Sequence, residues 1–261
     1  MEITLPYMPE RSSKPREKGV TMMMDKGLST RQAEDFIDAS GHLTDIIKLG
    51  FGTSYVSKNI KEKVKLYHDN GLKVYLGGTL FEAFVARGKF DDYRRLMDSY
   101  GIQLAEVSDG SIVIPHDEKL KYISTLAKDM EVMSEVGSKE EGHIISPAKW
   151  VKMMSTEIEA GSWKVIAEGR ESGSVGIFRP NGAPHTVLIN RIIAKVDPDK
   201  ILWEAPQKKQ QVWFIKLFGA DVSLGNIAHN DMIPLECLRL GLRGDTFFEN
   251  LPENIVTSFK Q

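Results

Sequence analysis

The stretch "ILWEAPQKKQQVWFIKLFG", Ile201–Gly219, contains the unit from which the whole chain is built. A short apolar run reaches a carboxylate, Glu204, and stops at Pro206. A helical segment follows and ends at Gly219. Side chains alternate along a strand, so Leu202 and Glu204 share one face while Trp203 and Ala205 share the other. A bulky tryptophan suits a layer of covering helices, which turns Glu204 toward the opposite, inner face of the sheet.

The same order recurs along the chain. Apolar runs ending in polar residues lie at Val20–Gly27, Asp45–Gly52, Lys73–Thr79, Leu104–Gly110, Glu131–Gly137, Lys164–Arg170, Ile201–Pro206 and Val222–Ile227. Their length and β-branched content predict buried parallel strands. Ser29 with Gln32 reads as a capping box, and Ser146 with Pro147 as an N-cap followed by a first-turn proline. Gly41, Gly71, Gly101, Gly161 and Gly219 stand where helices should end in left-handed C′ residues. The unit repeats at roughly thirty residues. Eight such units make about 250, the size of a single (β/α)8 TIM barrel of the α/β class. An open doubly wound sheet is disfavoured, because no G-x-G-x-x-G follows the first strand. Residues 1–18 read as a short N-terminal extension or arm, and 19–261 as one barrel domain.

Composition narrows the function classes. A formal net charge of −2 gives no ground for bulk binding to nucleic acid or to an anionic membrane. No apolar run approaches the ~20 residues of a membrane span, and the N-terminus lacks a signal-type apolar core. The single cysteine, Cys237, excludes an internal disulfide and a thiolate zinc cluster, and fits a cytoplasmic protein. The histidines show no metal-ligand spacing, and no G-x-S-x-G elbow is present.

In a parallel barrel the site lies at the carboxyl ends of the strands. Those ends carry Asp25, Lys48, Gly77-Gly78-Thr79, Glu106, Ser108, Asp109, Glu135, Glu168, Arg170, Glu204 and Asn226. Several carboxylates gathered at one mouth repel one another, and burying them costs several kcal/mol per ion without a cation. Mg²⁺ relieves this, since it takes a few carboxylates plus water and substrate oxygens. Asp25, Glu135, Glu168 and Glu204 are therefore the expected metal ligands. Gly77, Gly78 and Thr79 at a helix start, Ser108, Ser172 beside Arg170, Gly225 and Asn226 on strand eight, and Arg243 within "GLRGDT" are expected to bind a phosphorylated or multiply anionic substrate.

The segments "SKPREKGVTMMMDKGL", "DIIKLGFGTS", "VYLGGTLFE", "EVSDGS", "SEVGSK", "VIAEGRESG", "WEAPQKKQQVWFI", "LGNI" and "LRLGLRGDTF" resemble the phosphosulfolactate synthase family over nearly the whole chain. The resemblance implies a (β/α)8 barrel, a Mg²⁺ requirement, and addition of sulfite to phosphoenolpyruvate to give (2R)-2-O-phospho-3-sulfolactate. That chemistry belongs to the carbon–sulfur lyases and, in methanogens, to coenzyme M biosynthesis. A homo-oligomer, a trimer in the family, is implied as well. The family's proposed general acid is a lysine just after strand five. Here Ser138 stands at the first position of that lysine pair and Lys139 at the second. The resemblance thus makes Lys139 the expected proton donor, with Lys48 and Arg170 as charge-stabilising cations. Two readings stand beside it: a Schiff-base aldolase or lyase using Lys48 or Lys139, and a non-catalytic relative of the plant heat-stress proteins related to these synthases.

Overall fold

The computed structural model describes residues 4–137 and 145–260. Eight strands alternate with helices: β1 (Thr21–Asp25), β2 (Ile46–Leu49), β3 (Lys73–Leu76), β4 (Leu104–Val107), β5 (Glu131–Val136), β6 (Lys164–Ala167), β7 (Ile201–Glu204) and β8 (Leu224–Ile227). The helices are α1 (Thr30–Ser40), α2 (Thr53–Val56), α3 (Ile60–Asp69), α4 (Gly78–Val85), α5 (Phe90–Tyr100), α6 (His116–Leu126), α7 (Pro147–Glu159), α8 (Thr186–Ile193), α9 (Lys208–Phe218), α10 (Met232–Arg239) and α11 (Glu253–Phe259). Each apolar run named above holds one strand. The parallel ladder runs β3-β2-β1-β8-β7-β6-β5-β4, and its end strands β3 and β4 lie side by side, so the ring is nearly closed. This is the expected (β/α)8 barrel.

The period-two pattern divides the core in two. Val20, Met22, Ile46, Tyr75, Leu104, Met133, Ile166 and Leu202 fill the barrel interior as an apolar plug. Met23, Ile47, Val74, Val165 and Trp203 face the helices. Trp203 stacks on Phe214 and Phe218 of α9 at ring separations of 5.0 and 5.7 Å, which secures β7 with Glu204 pointing inward. Burying a large apolar side chain contributes roughly 1.5–3 kcal/mol, so both layers resist rotation of a strand about its axis.

The helix signals mostly perform as read. Ser29 and Gln32 form the reciprocal capping box, and Ser146 Oγ accepts from Lys149 N ahead of Pro147. Gly71, Gly101, Gly161 and Gly219 have positive φ. Gly41 does not: at φ −58° it continues the right-handed turn from α1 into a short 3₁₀ segment. Its lack of a side chain serves packing instead, since a Cβ there would stand 3.3 Å from Ile37.

The first segment packs against the amino-terminal ends of the strands. Arg11 pairs with Asp221 (2.7 Å) and Glu236 (3.1 Å), Arg16 with Asp45 (3.1 Å), and the Trp163 indole donates to Glu17 (3.0 Å). These contacts lie at the opposite end of the barrel from the residues considered next.

Candidate active site

Above the apolar plug the interior turns polar. Lys48, two residues on from the inward-facing Ile46, is the next inward side chain of β2. Its Nζ lies 3.2 Å from Glu106, 3.3 Å from Glu204 and 3.7 Å from Glu135. The ring of Tyr75 sits beneath it, 5.9 Å from centroid to Nζ. Lys48 is almost wholly buried. Burial by itself lowers its pKa, but Glu106, with Glu204 and Glu135, outweighs burial and holds the group well above the ordinary lysine value. Lys48 is therefore a permanent cation.

Glu204 has two tasks. One oxygen meets Lys48, and the other accepts the backbone N–H groups of Gly169 and Arg170, both at 3.0 Å. The carboxylate thereby holds the turn after β6. In that turn Arg170 adopts φ +60°, an uncommon conformation for a side-chain-bearing residue and one that recurs at functional sites. Glu168 is clamped from behind, because a Cβ on Gly176 (φ +62°) would collide with the Glu168 carbonyl oxygen. Carboxylate oxygens of Glu135, Glu168 and Glu204 all lie within 4.8 Å of one another.

These groups open into a cavity of about 260 Å³, whose wall includes Met24, Phe51, Gly78, Thr79, Ser111, Arg170 and Asn226. Larger grooves exist, one by the amino ends of β3–β5 and one between α1 and α10. The mouth cavity is where the buried charge converges, which makes it the candidate site.

One wall is the start of α4, whose first turn has no side-chain cap. Gly78 must be glycine, because a Cβ there would collide with Ser108 Oγ and lie 2.5 Å from Glu106. Another part of the wall is a bulge in β8. The register between β1 and β8 shifts, and Asn226 takes φ +57°. The extra residue brings Asn226 to the cavity, where its Oδ1 is buried and has no partner among the described residues. A buried acceptor left unsatisfied is costly, and such a group in a cavity points to a ligand.

The residues expected at the mouth thus fall into groups. Lys48, Gly78, Thr79, Glu135, Glu168, Arg170, Glu204 and Asn226 meet in the cavity wall. Gly77 supports it as the N-cap of α4, and Gly225 lies on β8 beneath it, where a Cβ would stand 2.8 Å from Met22. Asp25 is elsewhere: its carboxylate pairs with Lys63 (2.8 Å), accepts from Tyr67 (3.0 Å), and caps the N–H groups of Gly27 and Leu28. Met22 and Met24 face inward, so Asp25 faces the helices. Ser108 is turned onto buried Glu82. Ser172 is exposed and bonds Ser174 at 2.7 Å. Arg243 lies outside the cavity wall, near Pro234 O at 3.4 Å. Ser138 and Lys139 fall outside the described residues. Glu106 and Ser111, absent from the expected ligand and binding sets, belong to the wall. Parity on β4 points to Glu106, since Leu104 faces inward.

The donor set fits a hard divalent cation. Three carboxylates supply oxygen ligands only, the type Mg²⁺ prefers, and no thiolate or imidazole stands among them.

The eight-stranded ring, its covering helices and the acidic mouth at the strand ends define a (β/α)8 barrel. Consistent with this, 3-hexulose-6-phosphate synthase from Salmonella typhimurium superposes with a TM-score of 0.56 at 14% identity, over 86% of this chain and 100% of that one. Residues 9–245 match the family model of (2R)-phospho-3-sulfolactate synthase, and the chain belongs to that family. It is 41% identical over 238 residues to the phosphosulfolactate synthase of Methanocaldococcus jannaschii, covering 88% of this chain and 94% of that protein. It is 37% identical over 244 residues to that of Bacillus subtilis, covering 92% and 97%.

Proposed function

We propose that the mouth cavity adds sulfite to phosphoenolpyruvate, giving (2R)-2-O-phospho-3-sulfolactate, with Mg²⁺ held by Glu135, Glu168 and Glu204. The observation that carries the reading is the convergence in one cavity of a three-carboxylate cluster, a buried permanent cation and groups suited to anions. The sulfite lone pair forms the carbon–sulfur bond at the methylene carbon, and the alkene π pair moves onto the carboxylate. Protonation of the neighbouring carbon from one face then completes the product, and the phosphate ester stays intact.

Each residue has work in that scheme. The α4 N-terminus, with Gly78 and Thr79, presents N–H groups to an anionic oxygen. Arg170, at the exposed rim, offers a planar fork that matches phosphate or sulfite. Lys48 stays charged beside the developing carboxylate charge. Mg²⁺, when bound, supplies further positive charge where that charge develops. Lys139 is proposed as the proton donor, on the strength of its place in the family pattern. The Schiff-base alternative needs a lysine amine that is neutral near pH 7, and the environment of Lys48 works against this.

The test is direct. Protein incubated with phosphoenolpyruvate, sulfite and Mg²⁺ is expected to form phosphosulfolactate, read by mass spectrometry. A folded sample that forms none with all three present overturns the reading.

A further inference from the structure

We propose that Ser111 contacts phosphoenolpyruvate and that Glu82, behind the cavity wall, is the positioning residue that aims it; this rests on the sulfite-addition reading above. The segment after β4, residues 108–111, is tied at every position. Glu82 is 1% exposed. One of its oxygens accepts from Ser108 Oγ and from Gly110 N (3.1 Å), and the other from Ser111 N (2.8 Å). From the other side, fully buried Lys119 of α6 reaches Asp109 (3.0 Å), the Glu135 carbonyl (2.6 Å) and Glu157 (2.9 Å).

A plain Ser-Asp-Gly-Ser turn needs none of this, since such residues satisfy their own backbone locally and water does the rest. Burying a carboxylate on one side and an ammonium on the other costs several kcal/mol per ion before pairing. The geometry shows what the brace accomplishes. Glu82 lies four residues after Gly78, so both occupy one face of α4. The helix start that faces the anion and the clamp on Ser111 are therefore parts of one rigid element. Ser111 is exposed on the same cavity wall as Gly78 and Thr79. The clamp fixes the Ser111 backbone relative to those N–H groups, so its hydroxyl can turn toward the same anionic oxygens as a further donor.

The readout is KM for each substrate separately. Ser111→Ala should raise KM for phosphoenolpyruvate about tenfold, as expected for one hydrogen bond to a charged group, and leave KM for sulfite and the melting temperature unchanged. Glu82→Gln is isosteric but cannot accept with both ends, so it should give a similar rise. Because both act through one contact, the double variant should be no worse than about tenfold; independent effects would multiply to about a hundredfold. Ser111→Thr, which keeps the hydroxyl, should recover most of the affinity. A wild-type KM in Ser111→Ala, a shift confined to sulfite, or a hundredfold double effect overturns the inference. If Glu82→Gln fails to fold, the two Ser111 variants decide. Wild-type protein is the reference: absence of turnover there speaks against sulfite addition, and titration calorimetry with phosphoenolpyruvate then makes the same comparison between variants.

Discussion

Replacing Lys48 by methionine should destabilise the protein strongly, and more so at high pH than at low. The ammonium stands 3.2, 3.3 and 3.7 Å from three acids. At an effective dielectric constant near 20, each contact is worth roughly 5 kcal/mol. Most of that is offset by the cost of taking the ions out of water. The substitution keeps the desolvation of the acids while removing the attraction, so the net loss should match a broken buried pair, about 3–5 kcal/mol. For a chain of this size that lowers the melting temperature by about 10 °C. The sign of the pH dependence follows from linkage. In the wild type, Lys48 has a raised pKa, so its contribution is fully present below the unfolded lysine value and lost only as pH rises through the folded one. Between pH 5 and 9 it adds no slope. In the variant, crowded carboxylates are relieved by taking up a proton on folding, so the folded state binds more protons than the unfolded one. Stability must then fall as pH rises. Urea titrations of both proteins at pH 5.5 and pH 8.5 measure this. A methionine variant with wild-type stability, or one that loses the same amount at both pH values, would refute the reasoning.

The remaining predictions concern the reaction. Mg²⁺ should raise the melting temperature of the wild type by mass action and leave Glu168→Gln unmoved; equal stabilisation of both proteins places the metal elsewhere, and full activity after chelation removes it from the reaction. Arg170→Lys should raise KM for an anionic substrate about tenfold, because a point charge cannot reproduce the fork; unchanged KM values for both substrates count against an anion contact. Lys139→Arg should cost about 10²–10⁴-fold in kcat if Lys139 donates the proton, since guanidinium is too weak an acid. Near-normal kcat in that variant moves the donor to another group.

Much of the fold and part of the site were legible in the chain itself, for one physical reason. Strand side chains alternate with a period of two, so an apolar residue of known direction fixes the direction of every second neighbour. Trp203 set Glu204, and by the same rule the inward-facing Ile166 turns Glu168 to the mouth. The same rule applied to Met22 and Met24 turns Asp25 away from the mouth, onto Lys63 and Tyr67. Only the tertiary structure could decide what alternation does not govern. The bulge that brings Asn226 inward breaks the period, and it arises from register against β1. Ser108 and Ser111 look equivalent in "EVSDGS". Which one reaches the cavity depends on Glu82, a carboxylate brought from a different helix. Arg243 sits among glycines like an anion-binding loop, yet the chain folds back along α10 and holds it near Pro234. The sequence by itself determined the strand–helix repeat and the inward carboxylates, because those follow from local periodicity. The partners of each charged group depend on segments far apart in the chain, and only the folded packing settles them.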